Sequence, residues 1–210
     1  MRGNLTRKSL TSEFAAQNGC SIAINGEAGS SPSPRASLGT WRGNLMDRGE
    51  LLLEESSGTQ RPFLVFDLTN RAGFVSEAAD ERTLPMGTLN AIWGRWDVLL
   101  AGSVPPSDTR DRQPRTGMAI DKTGKRLYLL VVDGRQPRHS MGFTRTEAGW
   151  FLEAFGAHDG MLCDEGGSSS MYVKGLGGIV NIPSDFQGQE RPTYTHFGIA
   201  IRTLAKPKKG

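Results

Sequence analysis

Two acidic residues, two glycines and three serines follow one another in the segment 164–170, whose sequence is D-E-G-G-S-S-S, directly after an apolar run at 160–163. Glycine lets the backbone approach a ligand closely, and successive N–H groups in such a turn can form an anion-binding nest. Carboxylates beside a nest would suit acid–base chemistry next to a phosphate. A tight polar turn between two strands would have the same composition. Adjacent strand residues point to opposite faces, so Asp164 and Glu165 would face one ligand only if the chain bends between them.

Another acidic residue, Asp133, and an arginine, Arg135, flank Gly134 at the end of a second apolar run. These two side chains would share a face if the strand continued, and a simple Asp-Gly hairpin turn is the alternative. Three other groups of polar residues could contact a ligand: Arg115 and Thr116, the Asn-Gly-Glu sequence at 25–27, and the segment 181–185 with Glu190 and Arg191.

The chain has three histidines and two cysteines, and neither type shows the spacing of a metal site. We therefore predict no metal-binding residues and no cofactor, although the carboxylates could coordinate a divalent cation. Cys20 and Cys163 each lie in an apolar, strand-like run. Buried free thiols and a disulfide between neighbouring strands both fit this pattern.

Two segments show the signals of a helix. Thr144 and Glu147 form a capping box, and apolar residues at helical spacing follow before Gly156 ends the helix: Ala148, Phe151, Leu152 and Phe155. We expect these four side chains to form one apolar face. A shorter helix is predicted at 11–18, capped by Thr11 or Ser12.

Most other patterned segments indicate strands. The clearest hairpin joins 116–121 to 126–132, and the order of strands and helices is not a regular βαβ alternation. We predict an α+β fold in which helices pack on a mixed, mainly antiparallel sheet. No repeat or boundary divides the chain, so we predict one domain at 1–205, followed by a basic tail at 206–210. A loop is predicted at 29–44.

The composition limits the classes of function. With 37% hydrophobic and 22% charged residues, the 210-residue chain is typical of a soluble globular protein. The formal charge of +3 is compatible with an anionic ligand but lacks the basic clusters of a nucleic-acid-binding protein. We see no membrane span and no signal peptide, which predicts a cytoplasmic protein, or a secreted or envelope protein if the chain is a fragment. Nothing indicates an oligomeric state.

Five short motifs, in order, resemble those of the phosphodiester glycosidase family. They are Ala23-Ile-Asn-Gly26, Arg115-Thr-Gly-Met-Ala-Ile-Asp121, Val132-Asp-Gly-Arg135, Asp164-Glu-Gly-Gly-Ser-Ser169, and Asn181-Ile-Pro-Ser-Asp185 with Glu190-Arg191. Each is weak alone, but together they cover roughly residues 20–202 in the family's order. Members of this family cleave a sugar linked through its anomeric carbon to a phosphodiester.

The resemblance implies a hydrolase acting on a small molecule or glycan that carries a phosphodiester. Its implied catalytic residues are Asp164 with Glu165 or Asp133. Its implied substrate- and phosphate-binding residues are Asn25, Gly26, Arg115, Thr116, Arg135, Gly166, Gly167, Ser168, Ser169, Asn181, Ser184, Asp185, Glu190 and Arg191.

The chain departs from the family pattern where Glu27 and Glu165 replace glycines. A glutamate beside a phosphate would repel it unless it is protonated or paired with an arginine. Three alternatives therefore stay open. The chain could be an enzyme for a cytosolic nucleotide-derived glycosyl phosphate, a non-catalytic module that sequesters a phosphorylated sugar or nucleotide, or a structural domain of an envelope or virion protein.

Overall fold

The strand-forming runs are short and pair into antiparallel sheets, and most of them are joined by turns or loops rather than by helices. The structure, a computed structural model, describes residues 6–27, 38–39, 45–53, 61–79, 84–107, 110–185 and 188–201. The predicted basic tail at 206–210 and most of the predicted loop at 29–44 lie outside the described residues.

The described part of the chain contains strands in the following order: β1 Thr6–Arg7, β2 Ile22–Asn25, β3 Leu38–Gly39, β4 Leu45–Asp47, β5 Glu50–Leu53, β6 Phe63–Asp67, β7 Ala72–Val75, β8 Thr88–Trp93, β9 Trp96–Leu99, β10 Arg115–Ile120, β11 Leu127–Val132, β12 Asp159–Leu162, β13 Met171–Val173, β14 Gly178–Ile179 and β15 His196–Ile199. Helix α1 is Thr11–Gln17 and helix α2 is Arg145–Ala154. Short 3₁₀ turns lie at Gly166–Ser168 and Lys174–Leu176.

These strands form three larger sheets and a two-stranded ribbon. The sheet orders are β5-β4-β8-β6-β7, β11-β10-β12-β9 and β14-β13-β2-β15, and β1 pairs with β3. Every pairing between the described strands is antiparallel. The α+β prediction is confirmed, with the strands divided among several sheets rather than joined in one.

One hydrophobic cluster connects the three larger sheets. Ile24 of β2, Leu64 of β6 and Met118 of β10 pack in the same buried cluster, and all three are fully shielded from solvent. Burying a side chain of this size contributes about 1.5–3 kcal/mol. The shared core holds the ends of β2, β10 and β12 close together, and the candidate site lies at those ends.

Helix α2 begins as the sequence predicts but buries a different face. Thr144 Oγ1 accepts a hydrogen bond from Glu147 N at 3.1 Å, and Glu147 Oε2 accepts one from Thr144 N at 2.8 Å. Ala148, Gly149 and Leu152 are buried, whereas 40% of Phe151 and 63% of Phe155 are exposed. The predicted apolar face is therefore only partly buried.

The reason lies in how closely this helix approaches β9. Gly149 packs against the backbone carbonyl of Val98 so tightly that a Cβ there would collide with it. The line of closest contact runs through Gly149, which leaves Phe151 and Phe155 at the rim. There the two rings contact each other at a tilt, with their centroids 4.8 Å apart.

Helix α1 is also present, but its cap differs from the prediction. The residue preceding the first turn is Leu10, whose N–H donates to Glu13 Oε2 at 3.1 Å. Thr11 and Ser12 lie inside the first turn, so neither caps the helix. Their hydroxyls instead bond to Ser170 Oγ at 2.6 Å and Glu190 Oε2 at 2.5 Å, because these acceptors are held beside the helix start by the folded chain.

The two cysteines are free thiols, and both are buried. Burial raises the pKa of each, so both are protonated at neutral pH. Neither helix of the described chain has the length and hydrophobicity that a bilayer-spanning segment requires.

Burial of His196 makes the stability of the fold sensitive to acid. Desolvation lowers the pKa of His196 to about 4, from an ordinary value of 6.5, while a hydrogen bond with the Ser9 backbone opposes the effect. As the pH falls between these two values, the unfolded chain takes up a proton that the folded protein resists, so stability is lost. The difference corresponds to about 3 kcal/mol.

Urea unfolding of the wild-type protein and His196→Gln at pH 7 and pH 4.5 measures this contribution. We expect the variant to lose roughly 2 kcal/mol less than wild type over that range, because it lacks the titrating ring. Other groups titrate equally in both proteins and cancel in the comparison. Equal losses in the two proteins would show that His196 does not carry the acid sensitivity.

Candidate active site

The glycine-serine segment forms a loop that is tied to the ends of two other strands. Asp164 N donates to Gly26 O at 3.2 Å, after β2, and Gly166 N donates to Pro114 O at 3.1 Å, before β10. Gly166 has φ +67°, a conformation that side chains rarely adopt, and it begins the 3₁₀ turn. The chain bends at Asp164.

Asn25 holds the loop from behind. Its Nδ2 donates to Gly26 O at 3.1 Å and Asp164 O at 3.0 Å, and its Oδ1 accepts from Thr116 Oγ1 at 2.7 Å and Ser170 N at 3.1 Å. Asn25 and Thr116 are fully buried, so the structure places both behind the loop with their polar atoms occupied. Gly26 packs against Thr195, which leaves no room for a Cβ.

Asp164 lies at the centre of the arrangement, with its side chain 13% exposed. Its Oδ2 accepts a hydrogen bond from Ser168 Oγ. Arg95 Nη2 lies 3.4 Å from Oδ1, and Arg191 Nη2 lies 3.6 Å from Oδ2. Two guanidinium groups therefore flank one partly exposed carboxylate.

Glu27 orients one of these arginines. It is almost fully buried, and its Oε1 accepts hydrogen bonds from Arg95 Nε, at 2.7 Å, and Nη2. Burial lowers the pKa of Arg95, but the carboxylates of Glu27 and Asp164 outweigh that effect and raise it overall. Glu27 thus directs Arg95 toward Asp164.

Glu165 is paired with a buried arginine. Its Oε1 accepts from Arg115 Nη1, and its Oε2 accepts from Gln113 Nε2 at 2.8 Å. Arg115 is fully buried and also donates to the carbonyl oxygens of Phe143 and Asp111, both at 2.8 Å. Burial raises the pKa of Glu165, and the ion pair with Arg115 opposes this. The charge at position 165 is thus matched inside the protein.

Arg135 is an exposed cation beside the loop. Its Nη2 donates to Gln113 Oε1 at 2.6 Å, so Gln113 links Arg135 to Glu165. The guanidinium covers Gly166, and its Nη1 lies 2.6 Å from the place a Cβ would occupy. Glycine is needed at position 166 for two reasons: its φ is positive, and a side chain there would displace Arg135.

Arg191 and Asp185 cover the other side of the loop. Arg191 donates through Nη1 to Asp185 Oδ2 at 3.0 Å and through Nη2 to Ser168 Oγ. The Asp185 carboxylate fills the space next to Gly167 where a Cβ would lie. Arg191, Asp185, Gly167, Ser168 and Asp164 therefore form one connected group.

Other predicted site residues support the neighbouring chain segments. Asp133 Oδ1 accepts from Asn181 Nδ2 and Ile182 N, both at 3.0 Å, and its Oδ2 lies 2.8 Å from His139 Nε2. Asn181 also bonds to Ser169 O at 3.0 Å. Asp133 thus fixes the segment after β14 to the loop.

Three more predicted residues have different surroundings. Glu190 accepts hydrogen bonds from the backbone and hydroxyl of Ser12 at the start of α1. The hydroxyl oxygens of Ser169 and Ser184 are buried and have no hydrogen-bond partner within the described ranges. No group of three or more His, Cys, Asp or Glu residues suited to a metal ion occurs in the described part of the chain.

Sequence reasoning assigned no role to Arg95, Gln113 or Arg145, all of which lie at or beside the site. Arg95 is between β8 and β9, where its N–H donates to Leu162 O at 2.7 Å, two residues before Asp164. Arg145 begins α2 and lies within electrostatic range of Glu165. A lone arginine in a sequence carries little information, and the position of each depends on strand pairing.

Comparison with known families gives one match that covers most of the chain. A family model described as phosphodiester glycosidase matches residues 18–200. A search of curated proteins found no match.

Solved structures share the fold at low sequence identity. The catalytic domain of zebrafish N-acetylglucosamine-1-phosphodiester alpha-N-acetylglucosaminidase, auto-inhibited by its pro-peptide, gives a TM-score of 0.74 at 21% identity, over 93% of this chain and 68% of that one. A Burkholderia pseudomallei protein gives 0.67 at 14% identity, over 94% and 71%. A Synechocystis protein gives 0.56 at 11% identity, over 91% and 54%. At these identities the likeness establishes the fold.

Proposed function

The chain belongs to the phosphodiester glycosidase family, and from that premise we propose that it hydrolyses the bond between a sugar's anomeric carbon and a phosphodiester oxygen. The observation that carries the proposal is the partly exposed Asp164 carboxylate between Arg95 and Arg191, with Arg135 over the adjacent loop. Glycosyl hydrolysis needs a carboxylate near the anomeric carbon. A phosphodiester leaving group needs cations more than a strong acid.

In the proposed reaction, water attacks the anomeric carbon while Asp164 accepts one of its protons. The new C–O bond joins the water oxygen to the sugar, the bond from the anomeric carbon to the phosphate oxygen breaks, and the electron pair leaves on that oxygen. Arg135 and Arg191 would bind the negative charge of the phosphoryl group. The products are the free sugar and a phosphate monoester.

The position of Asp164 between Arg95 and Arg191 favours it over the two other acids, whose carboxylates hold neighbouring chain segments in place. Both oxygens of Glu165 are occupied by Arg115 and Gln113, and those of Asp133 by Asn181, Ile182 and His139. Glu165 would then contribute by holding Arg115 and Gln113 in place. Its pairing with Arg115 also removes the expected repulsion of a phosphate, the feature that had suggested a non-catalytic module.

Incubation with a substrate panel tests the proposal. The panel contains sugar 1-phosphodiesters, nucleotide sugars, and linear and cyclic nucleotides, with products and retained ligands identified by mass spectrometry. We expect free sugar and phosphate monoester from at least one glycosyl phosphodiester. Retention of an intact ligand without products would indicate a binding module, and absence of both would support a structural domain.

A further inference from the structure

The guanidinium of Arg145 packs on an aromatic ring of the sheet β11-β10-β12-β9, near the loop at 164–170. Its Cζ is 3.3 Å from the ring centroid of Trp96, the first residue of β9. Trp96 pairs with Leu162 of β12, two residues before Asp164. The guanidinium is therefore held beside the end of β12, the strand that leads into the loop at 164–170.

Unlike three other arginines of the site, Arg145 has no carboxylate partner in the described part of the chain. Arg95, Arg115 and Arg191 each bond to a carboxylate. Within the described ranges, Arg145 makes no ion pair, and its buried Nε has no hydrogen-bond partner.

The guanidinium of Arg145 is therefore a partly buried charge with few hydrogen-bond or ionic partners. Burial lowers the pKa of Arg145, and the charge of Glu165 opposes this without direct contact. A partly buried charge with few partners costs free energy that a bound anion can offset. Stacking on Trp96 limits the rotamers of the side chain, so less entropy is lost when an anion binds.

We propose that Arg145 is a substrate-binding residue that holds an anionic oxygen of the phosphodiester. It would make the site select ligands with a negatively charged group on the anomeric oxygen over neutral glycosides. This inference rests on the proposed hydrolysis for its substrate class. The binding of an anion by Arg145 can be measured without turnover.

The test uses the full chain and two chemically matched probes. Dimethyl phosphate carries one negative charge, and trimethyl phosphate is its neutral analogue. Their dissociation constants are measured by NMR titration for wild type, Arg145→Gln, Arg145→Lys and the control Arg126→Gln. Arg126 is exposed, next to β11 at the end of the β10–β11 hairpin remote from Arg115.

We expect wild type and the control to bind dimethyl phosphate equally and at least tenfold more tightly than trimethyl phosphate. Arg145→Gln should weaken dimethyl phosphate binding by about 10-fold or more, the loss of one charge-assisted contact. Arg145→Lys keeps the charge but not the planar fork, and should retain an intermediate affinity. Binding of the neutral probe should not change.

Two results would overturn the inference: dimethyl phosphate binding within twofold of wild type in Arg145→Gln, or no preference of wild type for the anionic probe. Turnover of the substrate panel is scored separately. If Arg145→Gln loses dimethyl phosphate binding but wild type hydrolyses no substrate of the panel, the anion site at Arg145 stands and the proposed function is rejected. If wild type hydrolyses a panel substrate but Arg145→Gln binds dimethyl phosphate as tightly as wild type does, the proposed function stands and the role of Arg145 is rejected.

Discussion

Asp164→Asn is expected to lower kcat for a glycosyl phosphodiester by about 1,000-fold, the scale of losing a general base. Asparagine has nearly the same shape, but its amide cannot accept a proton from the attacking water. Ser168 Oγ can still donate to the amide oxygen, so the loop should keep its conformation. Steady-state kinetics and thermal unfolding of the variant check both parts of the prediction.

Asp159→Asn provides the matched control. Asp159 begins β12, so it lies at the opposite end of the strand that leads into Asp164, and it bonds to Ala101 N and His158. Its replacement should leave kcat within about threefold of wild type, because a distant surface change has little effect on the site. A near-wild-type rate in Asp164→Asn would remove Asp164 from the mechanism.

Arg115→Met is expected to destabilise the fold by about 3–5 kcal/mol, because it leaves the carboxylate of Glu165 buried without its cation. The effect should grow as the pH rises above the ordinary pKa of glutamate, since the unpaired group is buried more easily when protonated. Urea unfolding at pH 5 and pH 7 measures both the loss and its pH dependence.

The double variant Arg115→Met/Glu165→Gln distinguishes this ion pair from simple loss of packing. Removing both charges should cost about 2 kcal/mol less than the sum of the two single changes, because each single change leaves an unpaired ion and the double variant leaves none. If the stability losses of the two single variants simply add up to that of the double variant, the Arg115–Glu165 ion pair does not stabilise the loop.

The local parts of the fold could be predicted because their signals lie close together in sequence. Thr144 and Glu147 cap α2 through atoms of the same turn, and two strand-like runs on either side of a Lys-Thr-Gly-Lys turn mark the β10–β11 hairpin. The loop at 164–170 was recognisable for a similar reason, since its glycines and hydroxyls are consecutive. Which arc of α2 is buried was not predictable, because it depends on the close approach of Gly149 to β9.

The partners of the charged residues could not be predicted from the sequence. Arg95 and Glu27 are 68 positions apart, and their ion pair depends on how β2, β9 and β12 meet. The same holds for Arg115 and Glu165, which are 50 positions apart. Sequence reasoning identified Glu165 as unusual, and only the folded chain supplies the arginine that neutralises it.

Hydrolysis in water enriched with ¹⁸O tests the central claim most directly, because it reports which bond breaks. The substrate is a glycosyl phosphodiester cleaved in the panel, and products are examined by mass spectrometry and by the ¹⁸O isotope shift in ³¹P NMR. Attack at the anomeric carbon predicts ¹⁸O on the released sugar and none in the phosphate monoester. Incorporation of ¹⁸O into the phosphate would show cleavage at phosphorus and contradict the proposed function.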